Sequence, residues 1–545
     1  MSHQRPMASL CEDDQLACFP YAVGHGAEGV CLLVQMGPHR ILLDCGLENI
    51  SPLQASSNPP ADFVLCSHAH SDHAQGLLAL HHAFPQLPIY ASEVTTQLLP
   101  LNWSELPPQK IPKFCQALPS RSPVEFCDGL SAELFPAGHL PGATAFLLTY
   151  TTPKKTYRLF YTGDFFLSNS RLVEGLSIES LRGMQPDVLI VEGTYGSARH
   201  PHRRQQENQL VERIDRAIAQ NYSVLLPVSS LGLGQEILML LRSHHHFTGR
   251  NLDIWVEGSV AAGCDAYLEL LPHFPTSVQN FARHQPLFWD ERVRPRVRRL
   301  DERQLASIGQ SPCIVITDDA ADVSGYWHPE ASPPVMLRPE HPRYPTRDNV
   351  ELADIETYLL AQHGDRLGTT QLIHNLRPQH VIFIHGSPTY LADLTGLEEL
   401  QNRYHLHSPS SGTLVDLPIG ETFIQPAAPA EANYEGELTE LGTVVTITLP
   451  EAIAADPRWQ DFADTGLVEA RWQGEEIVLR GLSQRELLTQ ASNTRVPVNI
   501  DCCGNCRHQR GQRCWNPASP LYGFKVTPEG YCPVFEAAES PSPTS

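Results

Sequence analysis

At 545 residues, 41% hydrophobic and 18% charged, the chain has a globular composition and too much length for one core, which suggests roughly three domains. A formal charge of −22 argues against broad electrostatic capture of nucleic acid, although a local basic stripe or bound cations can still serve such a substrate. The most apolar stretch, Val224 to Leu241, is broken by Pro227, Gly232, Gly234, Gln235 and Glu236, and the start lacks the apolar run of a secretory signal. The expected location is the cytoplasm, with no membrane partner.

Up to Glu192 the pattern is short apolar runs separated by turn residues: Val30–Val34, Ile41–Leu43, Phe63–Cys66, Phe146–Thr149, Leu159–Tyr161 and Val188–Val191. These predict strands, with Gly37-Pro38 as a hairpin turn. From Gln205 the pattern changes to an amphipathic helix (Leu210, Ile214, Ala217, Ile218), a strand at Val224–Val228, a helix over Gln235–Leu241 and a strand at Ile254–Val256. Such alternation predicts a small parallel sheet with crossover helices. After a Pro-rich run from Ser332 to Pro345 come a helix near Thr369–Leu376 and a strand at Val381–Ile384. A linker by composition, Gln425-Pro-Ala-Ala-Pro-Ala, leads to predicted strands at Thr443–Leu449 and Glu476–Arg480, helix-like stretches around Trp459–Ala463 and Gln484–Thr489, and a polar tail.

One string concentrates chemistry. The predicted strand Phe63–Cys66 runs directly into Ser67-His68-Ala69-His70-Ser71-Asp72-His73. Three imidazoles and a carboxylate at a strand end make a dense set of N/O ligands of the kind zinc accepts, and burying that many polar groups without a metal is costly. Two ions need further ligands. The candidates at other strand-to-loop junctions are His139 in Ala137-Gly-His-Leu, Asp164 in Tyr161-Thr-Gly-Asp, and His385 in Ile384-His-Gly.

Preceded by Leu43-Asp44-Cys-Gly46 and followed by these three residues, the string resembles the metallo-β-lactamase superfamily, whose fold is an αββα sandwich with a dinuclear site at one edge. The resemblance implies two Zn2+ ions, one held by His68, His70 and His139, the other by Asp72, His73 and His385, with Asp164 bridging. Asp44 would orient a ligand histidine, and Asp72 also belongs to the implied catalytic set. Two such ions, about 3.5–4 Å apart, can turn a bridging water into hydroxide near neutral pH.

Three more stretches narrow the resemblance: Glu192-Gly-Thr-Tyr-Gly, Pro227-Val-Ser-Ser-Leu-Gly-Leu-Gly-Gln-Glu236, and Gln362-His363-Gly-Asp. Together they resemble the β-CASP group, nucleases with a cap domain inserted into the metallo-β-lactamase core. The resemblance implies a nuclease of RNA or DNA, and the expected activity is that of a metal-dependent phosphodiesterase acting on single-stranded RNA, in which hydroxide attacks phosphorus. Glu192 would orient His363, the implied general acid, since a carboxylate beside an imidazole fixes its proton for donation. Where the group has Ser-x-His-Ala this chain has Ala361-Gln-His-Gly, and His385 is followed by Gly-Ser rather than Gly-Glu. Basic islands for a polyanion are Arg199-His-Pro-His-Arg203-Arg204, the candidate substrate residues, and Arg292 to Arg299.

The implied organisation is a metallo-β-lactamase core at 1–200 and 349–424, a β-CASP cap at 201–348, a small α+β module at 430–492, a Cys-rich metal-binding segment at 500–536 and a disordered tail at 537–545. Nine of the fourteen cysteines, Cys11 to Cys313, have no pairing pattern and read as small apolar residues. In the tail, Cys503, Cys506, Cys514 and Cys532 form C-x2-C-x7-C-x17-C, which suits a structural Zn2+ or an iron–sulfur cluster. Two rival functions are a small-molecule hydrolase of thioesterase or lactonase type and a non-catalytic subunit of an RNA-processing complex. The separation of about 170 residues between Glu192 and His363, one domain's worth of chain, argues against the first, and the full ligand set argues against the second. RNA versus DNA stays open, and a homodimer is compatible with the sequence.

Overall fold

The computed structural model describes residues 16–420 except 27, 302–307, 322–332 and 341–354; beyond 420 it describes four strands between 437 and 481, and residues 506–510, 513–516 and 536. The chain divides into two units, Met1–Ala428 and Pro429–Ser545.

The first unit is built on two seven-stranded sheets. One runs in the order Val415–Asp416, Leu16–Val23, Val30–Met36, His39–Leu43, Phe63–Leu65, Ile89–Ser92, Cys115–Leu118; the other His405–His407, His380–Ile384, Val188–Glu192, Thr156–Tyr161, Thr144–Thr151, Leu130–Pro136, Val124–Cys127. Alternate side chains of each central strand enter different cores, as the two-residue period of a strand requires. Leu32, Val34, Val188 and Ile190 face the space between the sheets, whereas Cys31, Leu33, Leu189 and Val191 belong to the cluster on the outer faces. Burial on both faces explains why these strands read as unbroken apolar runs. Six of the eight described cysteines before residue 420 are buried, as small apolar residues would be.

A third sheet of six strands, all parallel, forms the cap: Arg296–Arg299, Asp253–Val256, Cys313–Asp318, Val224–Val228, Val335–Pro339 and Ile355–Tyr358. The helix Arg203–Ala219 packs a stripe of Leu210, Val211, Ile214 and Ala217. The helix Leu233–Ser243 is buried all round from Leu233 to Arg242. The strand Ile355–Tyr358 pairs with the cap, so the cap extends past the boundary expected at 348.

In the second unit, the strands Glu437–Leu441 and Val444–Thr448 form one antiparallel pair and Val468–Gln473 and Glu476–Gly481 another. The expected linker at 425–430, the helix-like stretches Trp459–Ala463 and Gln484–Thr489, the polar tail, and Cys502, Cys503 and Cys532 lie outside the described residues. Among the described residues no helix is long and apolar enough to cross a membrane.

Candidate metal centre

Every candidate ligand sits at or just past the C-terminal end of a strand. Asp44 follows His39–Leu43, the histidine string follows Phe63–Leu65, and His139 follows Leu130–Pro136. Asp164 follows Thr156–Tyr161, Glu192 closes Val188–Glu192 and His385 follows His380–Ile384. Asp44 (φ 58°) and His385 (φ 54°) both take the left-handed backbone conformation, an uncommon one for side chains of this size and one that persists only where the surroundings enforce it. Gly46 is required by close approach: a Cβ there would lie 1.7 Å from the carbonyl oxygen of Asp72.

His68, His70, His139 and Asp164 form one cluster. His70 Nδ1 lies 3.2 Å from His68 Nε2 and 3.0 Å from His139 Nε2, and Asp164 Oδ2 lies 3.5 and 3.7 Å from those two nitrogens. Donors at about 2.0–2.1 Å from a tetrahedral zinc are separated by roughly 3.3 Å, so the spacing fits such an ion. Asp72, His73 and His385 form a second cluster. His385 Nε2 is 3.2 Å from Asp72 Oδ2, and His73 Nε2 is 3.4 Å from Asp164 Oδ1. His73 Nε2 and Asp164 Oδ1 are buried with no hydrogen-bond partner. Buried polar atoms are rarely left so, and a cation between them would satisfy both. Asp164 turns one oxygen to each cluster.

The imidazoles of the first cluster are held neutral, the form that ligates a metal, whereas at His73 burial is outweighed by the carboxylates of Asp164 and Asp44, which raise it well above the usual imidazole range. Burial, with the neighbouring His73, holds His68 well below the usual imidazole range; burial also lowers His70, and burial and His363 lower His139. Burial would push the Asp164 carboxyl up, but His385, His73 and His363 outweigh it and hold it well below the carboxylate range.

The second nitrogen of each ligand imidazole has its own partner. His73 Nδ1 donates to Asp44 Oδ2 at 2.8 Å. The same carboxylate accepts from the Ser67 amide at 2.6 Å, the Ser67 hydroxyl at 2.8 Å and the Tyr161 hydroxyl at 2.5 Å. Burial and Asp44 raise Tyr161 well above its ordinary range, which keeps it a donor. His68 Nδ1 meets Ser67 Oγ at 3.0 Å and His385 Nδ1 meets Thr194 Oγ1 at 2.8 Å. His70 Nε2 meets the Leu231 carbonyl at 3.2 Å, and His139 Nδ1 the Gln362 carbonyl at 2.9 Å. Such partners fix ring orientation and tautomer. Thr194, Leu231 and Gln362 were not legible as site residues, two of them because they act through backbone oxygens.

His363 lies beside this group, its ring centroid 4.6 Å from that of His139. Its Nδ1 is 3.2 Å from Glu192 Oε1, and that oxygen also accepts the Gly364 amide at 3.3 Å. The departure from the usual alanine at 364 has a steric reason, since a Cβ there would lie 2.6 Å from the Phe165 ring.

The basic residues fare differently. Arg199 and Arg204 are exposed. Arg203, expected to face substrate, is instead engaged by the protein: its guanidinium donates to the Ala361 carbonyl at 2.5 Å and lies 3.5 Å from both Glu207 and Glu236. In the second basic island, Arg296 pairs with Asp253, Arg298 with Glu291 and Arg299 with Asp265. Of the tail cysteines, Cys506 and Cys514 are buried beside the short hairpin Gln509–Arg510 and Arg513–Cys514; Cys503 and Cys532 lie outside the described residues.

Residues 39–222 match the beta-lactamase superfamily domain. An uncharacterised protein of Synechocystis sp. is 50% identical, over 96% of this chain and 97% of that protein. A probable RNase of Methanocaldococcus jannaschii is 31% identical over 39% of this chain and 54% of its own length. The endoribonuclease ysh1 of Schizosaccharomyces pombe is 24% identical over 51% of this chain and 38% of its own. The match to the two named nucleases thus spans about half of their length or less. Twin sheets, a cap inserted between Glu192 and His363, and these relatives together lead to one assignment: the chain belongs to the metallo-β-lactamase superfamily, in its β-CASP group.

Proposed function

We propose that this protein is a metal-dependent phosphodiesterase that hydrolyses single-stranded RNA. The observation that carries the reading is the convergence of seven ligand side chains on one rim with the His363–Glu192 pair beside them. His68, His70, His139 and Asp164 would hold one Zn2+, and Asp72, His73, His385 and Asp164 the other. When bound, such ions acidify a water and neutralise charge on phosphoryl oxygens.

The protein's own groups do the rest. With Nδ1 of His363 tied to Glu192, the transferable proton is the one on Nε2, which would pass to the leaving ribose oxygen. Thr194 bridges this pair to the ligand set, its hydroxyl lying 3.4 Å from His363 Nδ1 and 2.8 Å from His385 Nδ1. Asp72, 24% exposed, and the half-buried His70 are the ligands that reach solvent, so the cleft opens on their side. Arg199 and Arg204 would steer the polyanion toward it. Relatives named as RNases support RNA as substrate. At the tail, Cys503, Cys506, Cys514 and Cys532 would hold a structural Zn2+ or iron–sulfur cluster, and a cytoplasmic homodimer suits the reading.

The test is incubation of the purified protein with end-labelled RNA and DNA of one sequence, with and without a chelator, and sizing of the products. Chelator-sensitive shortening of RNA is expected; uncut RNA in the presence of added zinc would remove the nuclease assignment.

A further inference from the structure

Two of the three imidazoles in the His68/His70/His139 cluster are oriented by carbonyls from the cap or from the segment that leaves it. Leu231 belongs to the cap, in the loop before the buried helix Leu233–Ser243, and Gln362 lies just after the cap's last strand. In the other cluster the corresponding partners, Asp44 and Thr194, belong to core segments.

Both carbonyls are held by a network across the cap–core seam. Glu236, 3% exposed, accepts from Ser170 Oγ at 2.7 Å and from the amides of Arg171 and Leu172 at 2.9 Å each, all on a core loop. Gln235 Nε2 donates to the Ser230 carbonyl at 3.0 Å, and Ser229 Oγ to the Leu231 carbonyl at 3.0 Å, which sets the loop that meets His70. On the other side, Arg203 grips the Ala361 carbonyl while Gln206 accepts the Ala361 amide at 2.8 Å, which places the carbonyl of the next residue against His139. Arg203 joins the two halves through Glu236.

We propose that seating of the cap sets the metal affinity of the His68/His70/His139 cluster, with Glu236 and Arg203 as the positioning residues. Losing the partner of a ligand imidazole typically weakens metal binding about 10–100-fold. Release of the cap would therefore loosen one ion and leave the Asp72/His73/His385 ion in place. By reciprocity, filling the cluster must tighten the seam. The proposal rests on the reading of these residues as a zinc centre.

The experiment is zinc titration against a competing chelator, on the full chain and on Glu236→Ala, Arg203→Ala and Arg203→Lys. Wild type is expected to hold two ions on the His/Asp clusters. Glu236→Ala and Arg203→Ala should keep one tight ion and bind the other at least about tenfold more weakly, with Arg203→Lys nearer to wild type. Folded alanine variants that hold both ions as tightly as wild type would overturn the proposal. A wild type whose zinc uptake is unaffected by Asp164→Asn would overturn the zinc-centre reading itself. Should the alanine variants fail to fold, hydrogen exchange on wild type decides: stripping zinc should speed exchange at Arg171 and Leu172 several-fold, and unchanged exchange there sinks the coupling.

Discussion

The second sheet carries histidine clusters at both ends of one strand, and their difference is instructive. His380 begins the strand His380–Ile384 and His385 follows its last residue. At the far end, His380 Nε2 donates to the Pro418 carbonyl at 2.9 Å, which leaves its Nδ1 as acceptor for His407 Nε2 at 3.0 Å; His405 packs its ring against His380 at 5.1 Å. Both ring nitrogens of His380 thus have partners. At the metal-centre end, each imidazole has one nitrogen bonded outward to a hydroxyl, carboxylate or carbonyl, while the others converge with two carboxylates and leave His73 Nε2 and Asp164 Oδ1 unpartnered. Imidazole count does not make a metal centre; surplus lone pairs aimed at one point do.

Asp164→Asn tests the contrast most severely. It removes the charge, and one oxygen, of the carboxylate that serves both clusters, so zinc content should fall and RNA cleavage should drop by roughly a thousandfold or more. Full activity with normal zinc would erase the distinction. His363→Ala should cost about 10²–10⁴ in kcat with both ions retained, since the proposed reaction gives the residue a proton to transfer and no ion to hold; loss of zinc in that variant would make it a ligand instead. Asp44→Asn should weaken zinc about 10–100-fold through His73 while leaving the fold intact, as a chelator titration would show.

The smallest effect belongs to the far cluster. Burial, with His380 and His405 beside it, lowers His407 from 6.5 to about 4. Between those values the unfolded chain takes up a proton that the folded chain refuses, so stability should fall as pH drops from about 6.5 toward 4. His407→Gln should flatten that part of the pH profile in thermal unfolding without changing zinc content or cleavage. A change in zinc stoichiometry would show that the far cluster also binds metal.

Much of the core was legible because strands buried on both faces must be apolar throughout, and because His68 to His73 has no cheap explanation without a cation. The cap's end was not: Ile355-Glu-Thr-Tyr358 is an edge strand with exposed Glu356 and Thr357, too short and too polar to announce itself. Arg203 misled for a different reason. A basic island shows its charge but not its distant neighbours, and here two of the acceptors, Glu236 and Ala361, come from stretches far along the chain, with Glu207 one turn on in the same helix. The carbonyls of Leu231 and Gln362 leave no trace in residue type at all.

The order of the ligands along the polypeptide has a consequence for biosynthesis. His68 to Asp164 leave the ribosome early, the cap follows, and His385 arrives some 220 residues after Asp164, about the length of a large domain. Until that last histidine emerges, the second cluster lacks a side and His363, the proposed proton donor, has only just appeared. A growing chain, surrounded by the messenger that encodes it, thus carries an unfinished blade.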